Sequence, residues 1–373
     1  MKISNLKITE KIDFGVSNKI LNVQYFDKFN DFPNRLLMLA ENSQTSSSCL
    51  DVMKKFIIGK GFPIDLENII VNRKEQNIND IFCLLAYDYA LFGGCVLHCN
   101  YNELYEVSEI QYVPFEHTRL SISDDSGYVE KIAISKEWIK KPRKDKIEYI
   151  ATFTNNKEVL AKKIESQKGL NNFTGTILYA GNNGCFSYPD TICLPIIADM
   201  STEAAISVIK NRNANNGFFP AALVVFFEST GENKDNKEKA DDSELEFYTN
   251  ILKKAQGSEN ASNLIAVTAR SESEVPVVKP ISGENFDKSF VESEKSVQGN
   301  IGRRFMQPPI LRCEDVSVGF STEQMIEAYK FYNSVTREYR KFFERLFKKV
   351  LQNYKYEIPQ ELITISKLEY GDS

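Results

Sequence analysis

One short stretch of the chain gathers residue types that bind metals, Cys95-Val96-Leu97-His98-Cys99. Zinc takes four ligands converging at about 2.0–2.3 Å. Three candidates within five residues, with no second C-x-x-C or H-x-x-H, leave that set short. The stretch also reads as a strand, so Cys95 and Cys99 share one face and His98 points to the other. Buried cysteines acting as small hydrophobes account for it better than a metal does. The chain has 2 histidines, His98 and His117. It contains no G-x-x-x-x-G-K-[ST], no H-E-x-x-H and no G-x-S-x-G, so nucleotide, zinc-peptidase and hydrolase readings lose their main support. Gly59-Lys60-Gly61 and Gly181-Asn182-Asn183-Gly184 are glycine turns, whereas a phosphate cradle needs a longer loop that opens a helix. Carboxylates are abundant and any pair could act as general acid and base, but nothing in the spacing selects one. No catalytic residue, metal ligand or cofactor is therefore assigned, and the chain is read as a non-enzyme. A carboxylate-dependent hydrolase is the weaker alternative.

Composition narrows the field further. Lys and Arg number 46 against 51 Asp and Glu, a net charge of −5 over 373 residues. High affinity built on many phosphate contacts would need a basic surplus. The 7 cysteines are odd in number and scattered, which argues for a reducing compartment of assembly and against a disulfide framework. No apolar run approaches the roughly 20 residues of a membrane span, and Met1–Lys7 lacks the apolar core of a signal peptide. Neither membrane insertion nor secretion by that route is expected.

Three kinds of element must position whatever the chain does. The first is helical. Pro33–Ala40 is a short apolar patch of one or two turns. Ser46-Ser47-Ser48 offers caps for a helix to Ile58, with Cys49, Met53, Phe56 and Ile57 on one face. A further helix runs from about Asn79 to Phe92 and stops at Gly93-Gly94. The second is a set of short strands at Cys95–Asn100, Ser108–Val113, Arg119–Ile122, Tyr128–Ser135 and Glu148–Phe153, with a tight turn at Asp124–Gly127. They read as an antiparallel meander following the helices, an α+β arrangement. The third is a pair of long helices, Ile192–Asn213 and Phe286–Phe305, flanking an insertion over 218–281. The first carries the stripe Cys193, Ile196, Ile197, Met200, Ala204 and Val208. The insertion reads as strand Ala221–Phe227, a charged loop Glu228–Asp242, a helix opened by the capping box Ser243–Glu246, and strands Asn263–Thr268 and Val275–Val278. After Pro308-Pro309 comes a non-helical Ile310–Phe320, longer than an ordinary helix–helix link. Ser321–Gln324 is another capping box, opening one long helix to Leu351. Its face of Met325, Tyr329, Tyr332, Val335, Tyr339, Phe342, Leu346 and Val350 is widened by Phe331, Phe343 and Phe347, aromatics that could bury against a neighbouring subunit. One further strand is expected at Leu362–Ile365.

Four segments, in this order, resemble the portal proteins of tailed bacteriophages and prophages: Ser48–Ile58 running into Gly59-Lys60-Gly61-Phe62, then Tyr89–Leu97, then Tyr112–Arg119 ending in an arginine, then Gly299–Leu311 with its proline pair. The resemblance covers Asn34 to Leu351. It implies a fold with an N-terminal arm (1–33), a mixed helix and antiparallel-sheet wing (34–190), two stem helices (191–217 and 282–307), a small α/β clip (218–281), a tunnel loop (308–320), the long wing helix (321–351) and a C-terminal tail (352–373). Many portals continue into a helical crown, which by this reading is absent or truncated here. It further implies a ring of this chain with itself, typically dodecameric, in the virion at one capsid vertex and assembled in the bacterial host cytoplasm. Double-stranded DNA would cross the ring in packaging and ejection, without sequence specificity. Expected partners are the large terminase subunit, head-completion or adaptor proteins, and the major capsid and scaffold proteins. In that scheme Ile310, Leu311, Arg312, Glu314, Asp315 and Ser317 face the channel. Glu232, Lys234, Asp235, Lys237 and Lys239 dock the motor, and Phe331, Phe343 and Phe347 meet a neighbour. A non-portal structural or adaptor protein of a phage particle is the alternative.

Overall fold

The computed structural model describes residues 17–138, 142–184, 186–216, 222–227, 264–269, 284–312 and 321–371. The chain divides into two compact units, Met1–Ser201 with Gln298–Ser373, and Thr202–Val297.

The larger unit packs helices on a six-stranded sheet. A short hairpin, β1 (Ser17–Asn18) and β2 (Val23–Gln24), precedes α1 (Phe32–Asn42), α2 (Gln44–Ile58), α3 (Ile64–Glu67) and α4 (Ile78–Phe92). Helix α1 is longer than the one or two turns expected. Helix α2 begins earlier than the serine run suggested, because the Ser43 hydroxyl accepts from the Ser46 amide at 3.3 Å. Helix α4 opens on a reciprocal capping box. Asn77 Oδ1 accepts from Asp80 N at 2.8 Å and Asp80 Oδ2 from Asn77 N at 2.9 Å. Its residues are buried nearly all round, from Ile78 to Phe92, which makes it the central helix.

The sheet comprises β3 (Gly94–Tyr101), β4 (Val107–Tyr112), β5 (Thr118–Leu120), β6 (Lys131–Ile134), β7 (Glu148–Thr152) and β8 (Thr176–Gly181), in the order β4-β3-β8-β7-β6-β5. It is mixed, which corrects the expected antiparallel meander. After β7, helix α5 (Lys157–Ser166) carries the chain over to β8, which pairs parallel to β7 and antiparallel to β3. Strand β8 escapes a search for alternation because Thr176 through Ala180 are all buried, as in a central strand covered on both faces. The Asp124–Gly127 turn forms as expected, with Gly127 N donating to Asp124 O at 2.9 Å. Neither edge is bare: Val107 bridges to Tyr354 beside β4, and Val23 to Ser121 at the end of β5.

Two buried arginines fasten these layers. Arg119 in β5 is 0% exposed. Its guanidinium donates to Asn30 Oδ1 (2.5 Å), Asn30 O (2.8 Å), Thr118 O (2.7 Å) and Glu116 O (3.0 Å). Burial pulls its pKa down to about 10. Arg340 donates to the carbonyls of Phe56 and Asn333 and to the Thr336 hydroxyl.

The expected single helix over 321–351 is two, α8 (Thr322–Val335) and α9 (Arg337–Leu351), once the helices α6 (Ile197–Asn216) and α7 (Glu284–Arg304) are counted before them. The interruption falls at Thr336, whose hydroxyl bonds back to Tyr332 O at 3.0 Å. Such back-bonding bends helices. The Ser321–Gln324 capping box is present with both bonds. The strand expected at Leu362–Ile365 is replaced by a 3₁₀ turn, Gln360–Leu362, followed by extended chain with Ile363 and Ile365 buried. That tail passes over the α2 exit, where Lys60 N donates to Ser366 O at 3.0 Å. A Cβ on Gly59 (φ +59°) would stand 2.0 Å from that same oxygen, so the glycine of the Ile58–Phe62 motif is set by a close backbone crossing.

In the smaller unit, β9 (Ala222–Phe227) pairs parallel with β10 (Leu264–Ala269) in continuous register. A parallel pair requires a crossover of a dozen or more residues, and 228–263 are long enough for one. The loop Glu228–Asp242, the helix from Ser243 and the strand Val275–Val278 lie outside the described residues. Within this unit Lys210 on α6 pairs with Glu294 on α7. Along α6 in this unit Glu203 and Ile206 are buried, while Val208 from the expected stripe is 46% exposed; Cys193, Ile196 and Met200, the start of that stripe, are buried and belong to the larger unit.

Candidate functional site

The element with the most built-in geometry is the exit of α7. Its last turn closes with Gln307 N donating to Gly302 O (3.2 Å) and Met306 N to Arg303 O (3.0 Å), with Met306 at φ +52°. This is the paired 6→1 and 5→2 bonding of a Schellman cap. Pro308-Pro309 then prevents the helix from continuing. Gln307 is buried and bolts the exit in place: its Nε2 donates to Cys49 O of α2 at 2.6 Å and to the Tyr332 hydroxyl of α8 at 2.9 Å. Beyond the prolines, Pro309–Arg312 forms a 3₁₀ turn. The Arg312 side chain folds back onto α7. A Cβ on Gly302 would lie 1.2 Å from Arg312 Nη1, and Nη1 itself is 3.4 Å from Gln298 O. The helix glycine, which costs about 1 kcal/mol against alanine, is thus the seat of a guanidinium.

Beside this exit lies a cavity of about 250 Å³ lined by Met53, Tyr89, Arg304, Phe305, Tyr332 and Tyr339 among others. Arg304 Nε donates to Ile192 O at 2.8 Å. Burial raises the pKa of Tyr89, Tyr332 and Tyr339, and pushes Cys193 up to about 12, so these groups are neutral and act as packing and hydrogen-bonding surface.

No family model and no curated protein matches the sequence. Solved structures do. A chain of the virion of a native gene transfer agent particle aligns at TM-score 0.50 and 11% identity, over 85% of this chain and 81% of that one. A chain of the neck of the empty particle, computed with C6 symmetry, aligns at TM-score 0.50 and 12% identity, over 86% and 82%. This chain shares the fold of those two chains over most of its length. The HK97 family phage portal protein from Corynebacterium diphtheriae aligns at TM-score 0.41 and 10% identity, over 80% and 85%.

On this fold the residues singled out from the sequence separate. Ile310, Leu311 and Arg312 lie in the 3₁₀ turn, with Arg312 drawn onto Gly302. Glu314, Asp315 and Ser317 lie outside the described residues, as do Glu232, Lys234, Asp235, Lys237 and Lys239. Phe343 and Phe347 are 0% and 1% exposed, Phe343 tilted against Phe82 and Phe347 edge-to-face with Phe62 of their own subunit. They are core residues, which corrects their assignment to a subunit contact. Phe331, at 52% exposure, keeps surface to offer a neighbour. Cys95 and Cys99 are buried in β3, and His98 Nε2 donates to Thr174 O at 2.6 Å on the other face. Among the described residues no three His, Cys, Asp or Glu side chains gather as metal ligands, and no helix is long and apolar enough to cross a membrane.

The face of α9 turned away from its aromatics is basic. Arg337, Lys341, Arg345, Lys348 and Lys349 recur at i, i+4, i+8, i+11 and i+12, and a count of charge rather than hydrophobicity at helical spacing would have found them.

The Gly302 seat makes a prediction of its own. Gly302→Ala will leave global stability within about 1 kcal/mol, because the gain in helix propensity offsets the displacement of a flexible side-chain end. The 309–312 turn will lose its tie, and amides such as Leu311, which donates to Pro308 O, will exchange faster. Arg312→Ala should reproduce that acceleration. Unchanged exchange at Leu311 in both variants would remove the proposed tie.

Proposed function

We propose that this chain is a portal subunit: a non-enzymatic component of a closed ring at a capsid vertex, through which double-stranded DNA passes during packaging and ejection. The observation that carries the reading is the fold shared over 86% of this chain with a chain in a particle neck of C6 symmetry. The four motif segments support it, since two of them turn out to be backbone crossings and caps that set element order. In this reading α6 and α7 are stem helices, 218–281 is the clip that docks the large terminase subunit and head-completion proteins, and 34–190 with 321–351 is the wing, which contacts capsid and scaffold proteins. Residues 308–320 are the tunnel loop. With the Arg312 guanidinium held on α7, the charges left to that loop are those of Glu314 and Asp315, and an acidic lining lets phosphates slide past without gripping them.

Native mass spectrometry and negative-stain imaging of the purified full chain test the reading together. Rings with an axial opening, dodecameric by mass, are expected as concentration rises. A monomer at every concentration and salt tried rejects the portal. Rings too narrow to admit a duplex point instead to an adaptor protein of the same neck.

A further inference from the structure

Helix α9 divides its surface cleanly. One side is buried: Arg340, Phe343, Leu346, Phe347, Val350 and Leu351. The opposite side carries Arg337, Lys341, Arg345 and Lys349, all exposed, with Lys348 half-buried at its margin. At 100° per residue these five cations fall within a sector about 120° wide. None of them forms an ion pair among the described residues. The two carboxylates of the helix leave the row in surplus: Glu344 sits at its edge and accepts the Ile365 amide at 2.9 Å, and Glu338, inside the same sector near the first turn, is a single negative charge among five cations and forms no ion pair among the described residues. Lys349 lies 5.9 Å from the Phe153 ring. Nearby, Asn155 donates to Lys349 O at 2.9 Å, which brings the exposed Lys157 to the same end of the helix.

We propose that this face of α9 is a docking surface for the phosphate backbone of double-stranded DNA, separate from any channel contact. The choice of DNA rests on the portal reading; the surface itself does not. Three features favour a polyphosphate over a protein partner. The row winds gently along about 18 Å of the helix, a length over which duplex DNA presents about ten phosphates. It contains no exposed apolar or aromatic side chain, whereas the centre of a protein interface is rich in both and poor in lysine. The cations are presented by a helix whose other face is locked by Phe343, Phe347 and the three hydrogen bonds of Arg340, so little order has to be gained on binding. Lysine and arginine spread along one helix face can meet phosphates of any sequence, so contact needs no base preference. On a chain with a net charge of −5, such a row gives DNA a defined place to approach an otherwise repelling surface.

The test uses the full chain and a fluorescent 30-bp duplex of arbitrary sequence, with anisotropy read from low to physiological salt and oligomeric mass measured on the same samples. Wild type should bind, with log K falling linearly in log salt. Lys341→Gln with Arg345→Gln should shallow that slope by about two per subunit and weaken binding at least tenfold at low salt. Lys144→Gln with Lys146→Gln, an exposed pair on another surface, should change neither. Absence of duplex binding by wild type, equal losses in both double variants, or no loss in the α9 variant overturns the proposal. So does failure of the α9 variant to assemble where wild type assembles, which makes the row a subunit contact, and so does displacement of the duplex by poly-glutamate as readily as by unlabelled DNA. Failure of wild type to form rings counts against the portal reading alone, because the binding curves are read whatever the mass.

Discussion

Phe343→Ala will lower the unfolding free energy of the subunit by about 3–5 kcal/mol, while Phe331→Ala will change it by no more than about 0.5 kcal/mol. Both are aromatics of the same C-terminal helical pair, and by sequence spacing both widen the same stripe. Their surroundings differ. The Phe343 ring has no exposed surface and sits 4.9 Å from Phe82, 5.4 Å from Tyr89 and 5.3 Å from Phe342. Truncation leaves a cavity between α4 and α9 that neighbouring rings, themselves packed, cannot fill. Phe331 projects from α8 with half its surface free, so its removal costs the isolated subunit little. If Phe331 meets a neighbour in the ring, its loss will appear as a higher concentration for assembly. Urea unfolding of the two variants, with oligomeric mass read in parallel, separates the two roles. A loss below about 1 kcal/mol in Phe343→Ala, or a larger loss in Phe331→Ala than in Phe343→Ala, would contradict the division into core and surface.

What could be read from the sequence depended on whether the signal was local. Capping boxes are local: Ser321 with Gln324 forms both bonds as expected. The Asp124–Gly127 turn and most strands were legible for the same reason. Strand β8 was not, because Thr176-Ile177-Leu178-Tyr179-Ala180 is buried on both faces and shows no alternation. The break at Thr336 was hidden by an unbroken apolar period, since back-bonding by one hydroxyl leaves that period intact. The candidate site was less legible still. That Gly302 seats Arg312, or that Gln307 reaches Cys49 far back in the chain, depends on contacts that no spacing encodes. The aromatic excess on α9 was visible, but whether it faces core or neighbour is set by α2 and α4, which pack against it. The basic row on the opposite face was visible as well, though its consequence depends on those five residues forming no ion pair among the described residues.

Arg119 poses the sharpest case of a residue whose meaning changes with structure. In the sequence it ends a motif and offers a positive charge; in the fold it is the internal clamp between β5 and the chain entering α1. Arg119→Met will cost about 3–4 kcal/mol. The methionine fills much of the volume but donates nothing to Asn30 O, Asn30 Oδ1, Thr118 O or Glu116 O, which then lie buried without that donor. Against this stands relief from holding a cation out of water, whose cost is visible in the fall of its pKa to about 10. With the folded value at about 10, the group stays charged from pH 6 to 8, so the loss should be the same across that range. Arg119→Lys keeps the charge but replaces a planar fork with one ammonium; it loses the packing over Trp138, at 5.1 Å, and part of the hydrogen bonding, and should fall between wild type and methionine. The damage should be local first. Asn30 also accepts from the Phe26 amide at 3.2 Å, so release of its side chain frees the segment before α1, and proteolysis within 25–31 should quicken before global unfolding does. Urea midpoints at pH 6 and pH 8 and limited proteolysis of the three proteins provide the measurement. A methionine variant within about 1 kcal/mol of wild type, with unchanged cleavage near Asn30, would show that the arginine is tolerated there and does not fasten the segment.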